Sequence, residues 1–172
     1  MAVVALREVR DGDLDALGEA GFARLADEVT AAIEDAGPEF PARLRAVATA
    51  YVRFATEDPA LMELMFAAKN AEPSAAVREA SERLFTAFGD LISQGQQVGA
   101  LPTGDPERLR LLLIATLQGI ATLVSSGRAQ PRQTDALITD AVALFTRGQR
   151  LRHILLGPLS TESCHGTPSA IT

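Results

Sequence analysis

The sequence predicts an all-α fold, arranged as a single-domain bundle of about six helices. Apolar residues recur with the 3.6-residue period of a helix, and no segment alternates cleanly at the two-residue period of a strand. Proline and glycine lie in clusters between these periodic segments, where they interrupt helices. The 172 residues, 47% of them hydrophobic, are enough for one domain with a substantial core.

The first two predicted helices each carry one apolar face. The first covers about residues 14–35 and ends before Gly37 and Pro38, which interrupt a helix. Its apolar stripe comprises Leu14, Leu17, Ala20, Phe22, Leu25, Val29 and Ile33. The second follows Pro41 and ends near Glu57. Its apolar face comprises Leu44, Val47, Ala48, Tyr51, Phe54 and Ala55.

The third predicted helix is short and covers residues 59–68. It begins with Asp58 at the N-cap position and Pro59 at the first helical position, a pairing typical of helix starts. It is apolar on nearly every side, through Leu61, Met62, Leu64, Met65 and Phe66. We therefore expect this helix to be buried or to face a cavity.

The fourth predicted helix covers about residues 74–97 and ends at Gly99. Its inward face comprises Val77, Leu84, Phe85, Phe88, Leu91 and Ile92. On its outer face, Glu79 and Arg83 have the i, i+4 spacing of a helical ion pair.

The fifth predicted helix, about residues 105–126, has hardly any polar side. Asp105 and Pro106 open it with the same cap and proline, and its apolar residues are Leu109, Leu111, Leu112, Leu113, Ile114, Leu117, Ile120, Leu123 and Val124. A helix this apolar must bury more than one face, so we expect a second subunit to cover part of it. The sixth predicted helix covers about residues 133–156.

The remaining features of the composition indicate a cytoplasmic protein. The net charge of -6 lacks the basic excess of a nucleic-acid-binding surface. The single cysteine, Cys164, excludes an intrachain disulfide, and the N-terminus lacks the pattern of a signal peptide. The most apolar run, residues 111–117, is shorter than a membrane span, so no membrane association is predicted. Residues 1–13 are expected to be a remnant or unstructured, and residues 157–172 a flexible tail.

Three segments resemble the effector-binding half of TetR-like transcriptional regulators. Residues 21–26 (GFARLA) and 44–55 (LRAVATAYVRFA) resemble the opening of that half, and residues 58–66 (DPALMELMF) resemble its next segment. The most similar subgroup has a Trp-His-Gly signature in its penultimate helix. At the matching place this chain has Ile114, Gln118 and Gly119, so only the glycine is kept.

The resemblance implies an effector-binding and dimerisation domain over residues 14–156. The last two long helices, about residues 105–126 and 133–156, would pair with their copies in a homodimer. An internal pocket among the earlier helices would bind a small, largely apolar effector. Such regulators carry an N-terminal helix-turn-helix, and residues 1–13 are too few for that unit, so we expect that this chain does not itself bind DNA. Natural truncation, a misassigned start and removal of that unit stay open as reasons.

The predicted ligand-binding residues are aromatic, methionine and neutral polar side chains. Aromatic and methionine side chains suit an apolar ligand, while a few polar groups orient it. The set is Tyr51, Phe54, Met62, Met65, Phe66, Phe85, Phe88, Gln118 and Thr122. A glutamine inside an apolar helix needs a hydrogen-bond partner, which would be a ligand, a backbone carbonyl or the partner subunit.

No catalytic or metal-ligating set is predicted. The chain offers no converging acid-base or nucleophile pair, no Cys-x-x-Cys or Glu-x-x-His motif and no phosphate-binding loop, so we predict neither an enzyme nor a cofactor. Two alternatives stay open beside the regulator. One is a helical dimerisation module without a ligand, and the other is a small-molecule carrier or enzyme on a helical-bundle scaffold.

Overall fold

The computed structural model describes residues 11–70 and 72–155, with side chains described between Asp13 and Thr146. Within these residues the fold contains six α-helices and no strand, which confirms the predicted all-α bundle. The helices are α1 (Asp11–Asp35), α2 (Phe40–Glu57), α3 (Pro59–Asn70), α4 (Ala75–Gln97), α5 (Pro106–Ser125) and α6 (Thr134–Leu155), with a 3₁₀ turn at Pro131–Gln133. The predictions for residues 1–10 and for the tail 157–172 lie outside the described residues.

Side-chain caps fix the starts of three helices. The Asp58 carboxylate accepts a hydrogen bond from the backbone N–H of Leu61 at 3.0 Å. The Asp105 carboxylate accepts one from the backbone N–H of Glu107, also at 3.0 Å. Ser74 caps α4 in the same way. Each cap satisfies a backbone donor that the first helical turn leaves unpaired, which is why both predicted Asp-Pro starts are confirmed.

Glycines with a left-handed backbone conformation follow α4 and α5. Gly99 follows α4 with a φ of 69°, and Gly127 follows α5 with a φ of 71°. Only glycine adopts this conformation without a steric penalty, so both chain turns occur where the sequence places a glycine. At the other end of the chain, α1 begins at Asp11, three residues before the predicted start.

Helix α1 packs against α2, α3 and α4. Phe22, Leu25 and Val29 on its inner face are completely or almost completely buried in one continuous hydrophobic core. Helix α5 packs against α2 and α4, and α6 packs against α2 and α5. The core therefore surrounds the inner faces of α1 and α2, while α3 and α5 form outer walls.

Two glycines allow α3 to approach α1 closely. A Cβ atom added at Gly18 would lie 2.6 Å from the Cβ of Ala68, and one added at Gly21 would lie 2.5 Å from the Cγ of Met65. Both separations are far shorter than a van der Waals contact, so side chains of α3 pack directly on the backbone of α1 here. The spacing between α1 and α3 thus depends on glycine at both positions.

One predicted surface ion pair is wrong. Arg83 was expected to pair with Glu79 on its own helix, but its guanidinium lies 2.8 Å from the carboxylate of Asp27 on α1. The reason is the close packing of α4 on α1, which brings a carboxylate of another helix within reach. Both side chains are more than half exposed, so the pair adds at most about 1 kcal/mol.

Helix α5 leaves several large apolar side chains exposed. It is long and apolar enough to cross a membrane by length and composition, although a core helix of a soluble protein passes the same test. Its inner face buries Leu113 and Leu117 in the bundle. The opposite side exposes Leu111 by 59%, Leu112 by 50% and Leu123 by 40%. The single chain therefore leaves much of this helix uncovered, as the sequence predicts.

Replacing Gly18 with alanine should lower the free energy of unfolding. Alanine gains about 1 kcal/mol of helix propensity over glycine. The new Cβ would collide with the Cβ of Ala68, which side-chain rotation cannot move, and overpacking of this kind costs about 1–3 kcal/mol. The collision outweighs the propensity gain, so we expect a net loss of about 1 kcal/mol, measured by urea unfolding.

Gly89→Ala is the matched control for this substitution. An added Cβ at Gly89, inside α4, meets nothing within 4 Å, so only the propensity gain of about 0.5–1 kcal/mol remains. The two variants should therefore shift the urea midpoint in opposite directions. Equal stabilisation by both would show that α1 and α3 are not held in close contact.

Candidate functional site

A groove of about 770 Å³ lies between α3 and α5 and is open to solvent. We call it the α3–α5 groove. It is lined by Ala55, Pro59, Met62, Glu63, Phe66, Ala67, Asn70, Gln118, Ala121, Thr122, Ser125 and Ser126. Apolar side chains form about half of this lining, neutral polar side chains form most of the rest, and Glu63 is its one charged member. A largely apolar concavity with a few polar groups is typical of a small-molecule site.

The inner wall of the groove contains a hydrogen bond between two predicted residues. The Tyr51 hydroxyl on α2 donates to the amide oxygen Oε1 of Gln118 on α5. Tyr51 is only 1% exposed, and its ring meets Phe88 edge to face with centroids 6.0 Å apart. Burial raises the pKa of the Tyr51 phenol above its ordinary value. The phenol therefore stays protonated and remains a donor.

This contact answers the question that the sequence raises about Gln118. The glutamine was expected to find a ligand, a backbone carbonyl or the partner subunit, yet its partner within the described residues is the hydroxyl of Tyr51. Tyr51 was selected only for its apolar area. The pairing is between residues 67 positions apart, so no local sequence signal connects them.

The structure brings four of the nine predicted ligand-binding residues together in the groove. Met62 and Phe66 line it from α3, and Gln118 and Thr122 line it from α5. Tyr51 lies behind Gln118 and touches the groove only through that hydrogen bond. Their contact with an effector stays a prediction.

Three of the other predicted residues fill the core. Phe54, Met65 and Phe88 are each at most 1% exposed and pack in the central cluster. These large side chains pack between the helices in the described core, and the internal pocket implied by the family resemblance stays a prediction. Whether any of them contacts an effector also stays a prediction.

Phe85 lies apart from the groove, within a group of cations. The Lys69 ammonium lies 3.5 Å from the centre of its ring, and the Arg110 guanidinium lies 5.0 Å from it. Desolvation and the nearby charge of Arg110 lower the pKa of Lys69, while Glu82 acts in the opposite direction. The ring of Phe85 thus makes cation–π contacts with one residue of α3 and one of α5, and it does not line the α3–α5 groove.

Several groove residues were missed by sequence reasoning. The side chains of Glu63, Ala67 and Asn70 extend the α3 wall, and Ala121 and Ser125 extend the α5 wall. Those on α5 follow Gln118 at helical spacings of three and seven, so the periodicity contains a signal for them. Small or surface polar side chains such as these occur on every helix, so the sequence pattern alone does not distinguish them as ligand-binding residues.

No group of three or more His, Cys, Asp or Glu side chains able to hold a metal ion occurs in the described part of the chain. Cys164 lies outside that part.

The exposed apolar surface of α5 adjoins the groove. Leu111, Leu112 and Leu123 are exposed along α5, and an added Cβ at Gly119, which lies between Leu112 and Leu123 in the sequence, would meet nothing within 4 Å. On α6, Leu144 is 75% exposed. We call the exposed side chains of these four leucines the leucine face. Exposed apolar patches of this kind mark interaction surfaces.

Tyr51 provides a direct test of this geometry, because it is the single tyrosine and the chain has no tryptophan. Tyrosinate absorbance of the folded protein should rise at higher pH than that of the unfolded chain, whose tyrosine titrates near a pKa of about 10. Above that pH the unfolded state releases a proton that the folded state keeps. Stability should therefore fall as pH rises, by up to about 1.4 kcal/mol per pH unit.

Tyr51→Phe should remove this component of the pH dependence. At pH 8 it should also lower stability, by about 1–3 kcal/mol, because Oε1 of Gln118 loses its donor, and this difference from wild-type protein should narrow towards pH 11. The comparison requires urea unfolding of both proteins between pH 8 and pH 11. Overlapping tyrosinate titrations of the folded and unfolded wild-type protein would contradict the buried position of Tyr51.

Comparisons with known proteins support the fold and cover the helices that form the groove. The family described as "Tetracyclin repressor-like, C-terminal domain" matches residues 44–145, more than half of the chain. A solved structure titled as a protein with unknown function from Rhodococcus sp. RHA1 is similar, with a TM-score of 0.76 and 35% sequence identity. That similarity covers 82% of this chain and 73% of the Rhodococcus chain. No curated protein sequence matches.

The family match begins in α2 and ends in α6, so it spans both walls of the α3–α5 groove and the leucine face. This family is regulatory rather than catalytic. Domains of this kind typically dimerise and bind small-molecule effectors. The chain belongs to the family of tetracyclin repressor-like C-terminal domains.

Proposed function

We propose that this domain senses a small, largely apolar effector in the α3–α5 groove and forms a homodimer through α5 and α6. The observation that carries the proposal is the double use of α5. Gln118 and Thr122 line the groove, while Leu112 and Leu123 on the same helix are exposed. A ligand in the groove and a partner on the leucine face would therefore act on one rigid element.

The leucine face supports a second copy of the chain as its partner. Its side chains lie on the two helices that pair in dimers of similar regulators, and Ala115 and Gly119 between the leucines allow a facing helix to approach closely. Complete burial of a fully exposed leucine contributes roughly 1.5–3 kcal/mol, and these side chains, 40–75% exposed, would each contribute a corresponding fraction of that. Four exposed leucines in each protomer provide apolar surface for such an interface.

Effector sensing would follow from a population shift. An effector that fits one separation of α3 and α5 better than another favours the dimer arrangement that has this separation. The size of the response is limited by the difference between the two affinities, and a tenfold difference corresponds to about 1.4 kcal/mol. In the regulators that this chain resembles, the output is the affinity for DNA. Here the predicted readout is the geometry of the dimer.

A dimerisation module without a ligand is the second candidate. The packing of Phe54, Met65 and Phe88 favours it, because each is at most 1% exposed within the described core. The two candidates share the leucine face and differ in whether the groove binds anything. Ligand binding in the groove therefore decides between them.

Leu123→Glu should weaken the dimer. A carboxylate placed within an apolar interface has no partner there, and a central interface residue contributes about 2 kcal/mol or more. We expect the dissociation constant to rise about 30-fold or more, measured by sedimentation velocity over a concentration series.

Leu17→Glu is the matched control for the interface. Leu17 on α1 is 43% exposed, close to the 40% of Leu123, but lies outside the leucine face. It should leave the dissociation constant unchanged. A wild-type protein that stays monomeric and folded at millimolar concentration would overturn the proposed dimer.

Ala67→Trp should block the groove. Ala67 lines the α3 wall and is partly exposed, so a tryptophan there fills the groove and leaves the core intact. A neutral solvatochromic dye such as Nile red should bind wild-type protein with a rise in fluorescence. We expect Ala67→Trp to weaken this binding at least tenfold.

The control places the same side chain in a different groove. Ala46 is also partly exposed and lines an open groove of about 620 Å³ between α1 and α2. Ala46→Trp should leave dye binding unchanged. If both variants bind the dye as wild-type protein does, the α3–α5 groove is not a binding site and the dimerisation module becomes the better description.

A further inference from the structure

We propose that the α3–α5 groove selects an uncharged, largely apolar molecule that presents a carbonyl oxygen to the side-chain amide of Gln118, and that it rejects carboxylates. This inference rests on the proposed effector site. It specifies the chemical class of the ligand, which the size of the groove does not determine.

The hydrogen-bonding state of Gln118 carries the first step. Its Oε1 already accepts from the Tyr51 hydroxyl, and the buried phenol stays protonated as a donor. The amide nitrogen Nε2 has two N–H groups, and no described residue accepts from them. Gln118 is partly exposed and lines the groove. A ligand that removes water from this amide must therefore supply an acceptor, because an unpaired buried donor costs about 1–3 kcal/mol.

The charges around the groove carry the second step. Glu63 is the one charged residue of its lining, and it is negative. No lysine or arginine is among the lining residues, and two cations of the adjoining helices, Lys69 and Arg110, lie over the ring of Phe85. A carboxylate ligand would lose its hydration without gaining a counter-ion and would be repelled by Glu63.

A cationic ligand is disfavoured by the donors of Gln118. An ammonium group has only donors, so it cannot satisfy Nε2. Glu63 is exposed, and ion pairs at exposed positions contribute about 0–1 kcal/mol. That gain does not offset the cost of leaving the amide donors without an acceptor. A neutral carbonyl compound supplies the acceptor that the amide of Gln118 needs. It is not repelled by Glu63, and it loses no hydration of a charged group.

The other lining residues fit the rest of such a molecule. Met62, Phe66 and Ala121 offer apolar surface along the groove. The hydroxyls of Thr122 and Ser125 lie on the α5 wall and both donate and accept hydrogen bonds, so they tolerate a polar oxygen without demanding a charge. Methionine and aromatic side chains adapt to alkyl chains of different shape.

Four compounds with the same number of carbons test the ligand class on the full chain: 2-decanone, decanoate, decylammonium and decane. Binding at pH 7.4 is measured by displacement of Nile red and by the fluorescence of Tyr51, the single tyrosine beside Gln118. We expect 2-decanone to bind at least tenfold more tightly than each of the other three. Equal affinity for 2-decanone and decanoate, or for 2-decanone and decane, overturns the inference.

Two substitutions assign the selectivity to named side chains. Gln118→Leu should reduce the affinity for 2-decanone about tenfold and raise that for decane, because the amide donors that decane leaves unpaired are gone, while Gln97→Leu, at an exposed position of α4, should change neither. Glu63→Gln should reduce the difference in affinity between 2-decanone and decanoate. Its control, Glu79→Gln, should leave that difference unchanged. If Gln118→Leu does not fold, Glu63→Gln and its control Glu79→Gln still test the inference.

The outcomes distinguish failure of the proposed ligand class from failure of the proposed effector site. If decanoate or decylammonium displaces the dye best, the proposed effector site stands and the ligand class is wrong. If wild-type protein binds neither the dye nor any of the four compounds, the effector site itself fails. If Gln118→Leu binds 2-decanone as wild-type protein does, the role given to the amide is wrong.

Discussion

Helix α5 must satisfy three environments at once, and the rest of the molecule is arranged around that constraint. One side buries Leu113 and Leu117 in the core, a second lines the groove through Gln118 and Thr122, and a third exposes a row of leucines. A single chain of this size covers the first side and leaves the other two. The helix is therefore the element through which core packing, ligand binding and association influence one another.

The Tyr51–Gln118 hydrogen bond joins the core to the groove wall. A buried phenol is costly without a partner, and the glutamine of α5 provides the acceptor. The bond connects α5 to α2 and leaves the amide nitrogen of Gln118 without an acceptor among the described residues. Phe88 packs edge to face on the same tyrosine, so α4 also supports this arrangement.

The opposite wall of the groove is positioned by packing without hydrogen bonds. Gly18 and Gly21 let α3 lie almost against the backbone of α1. The backbone of α1 is thus a fixed support for the wall that carries Met62 and Phe66. Two different contacts therefore position the walls of the groove. On the α3 side, α3 packs against Gly18 and Gly21 of α1, and on the α5 side Gln118 is hydrogen-bonded to Tyr51.

The sequence by itself determined the all-α class, the caps at Asp58 and Asp105, and the excess apolar surface of α5. These properties are local, because periodicity and capping depend on residues within a few turns. The tertiary structure decided which candidates share a groove, since helical spacing identifies the face of a residue and not the helix opposite it. It paired Tyr51 with Gln118 across 67 positions, placed Phe54 and Phe88 in the core and set Phe85 beside Lys69 and Arg110. Those outcomes depend on how the helices cross, which no short stretch of sequence specifies.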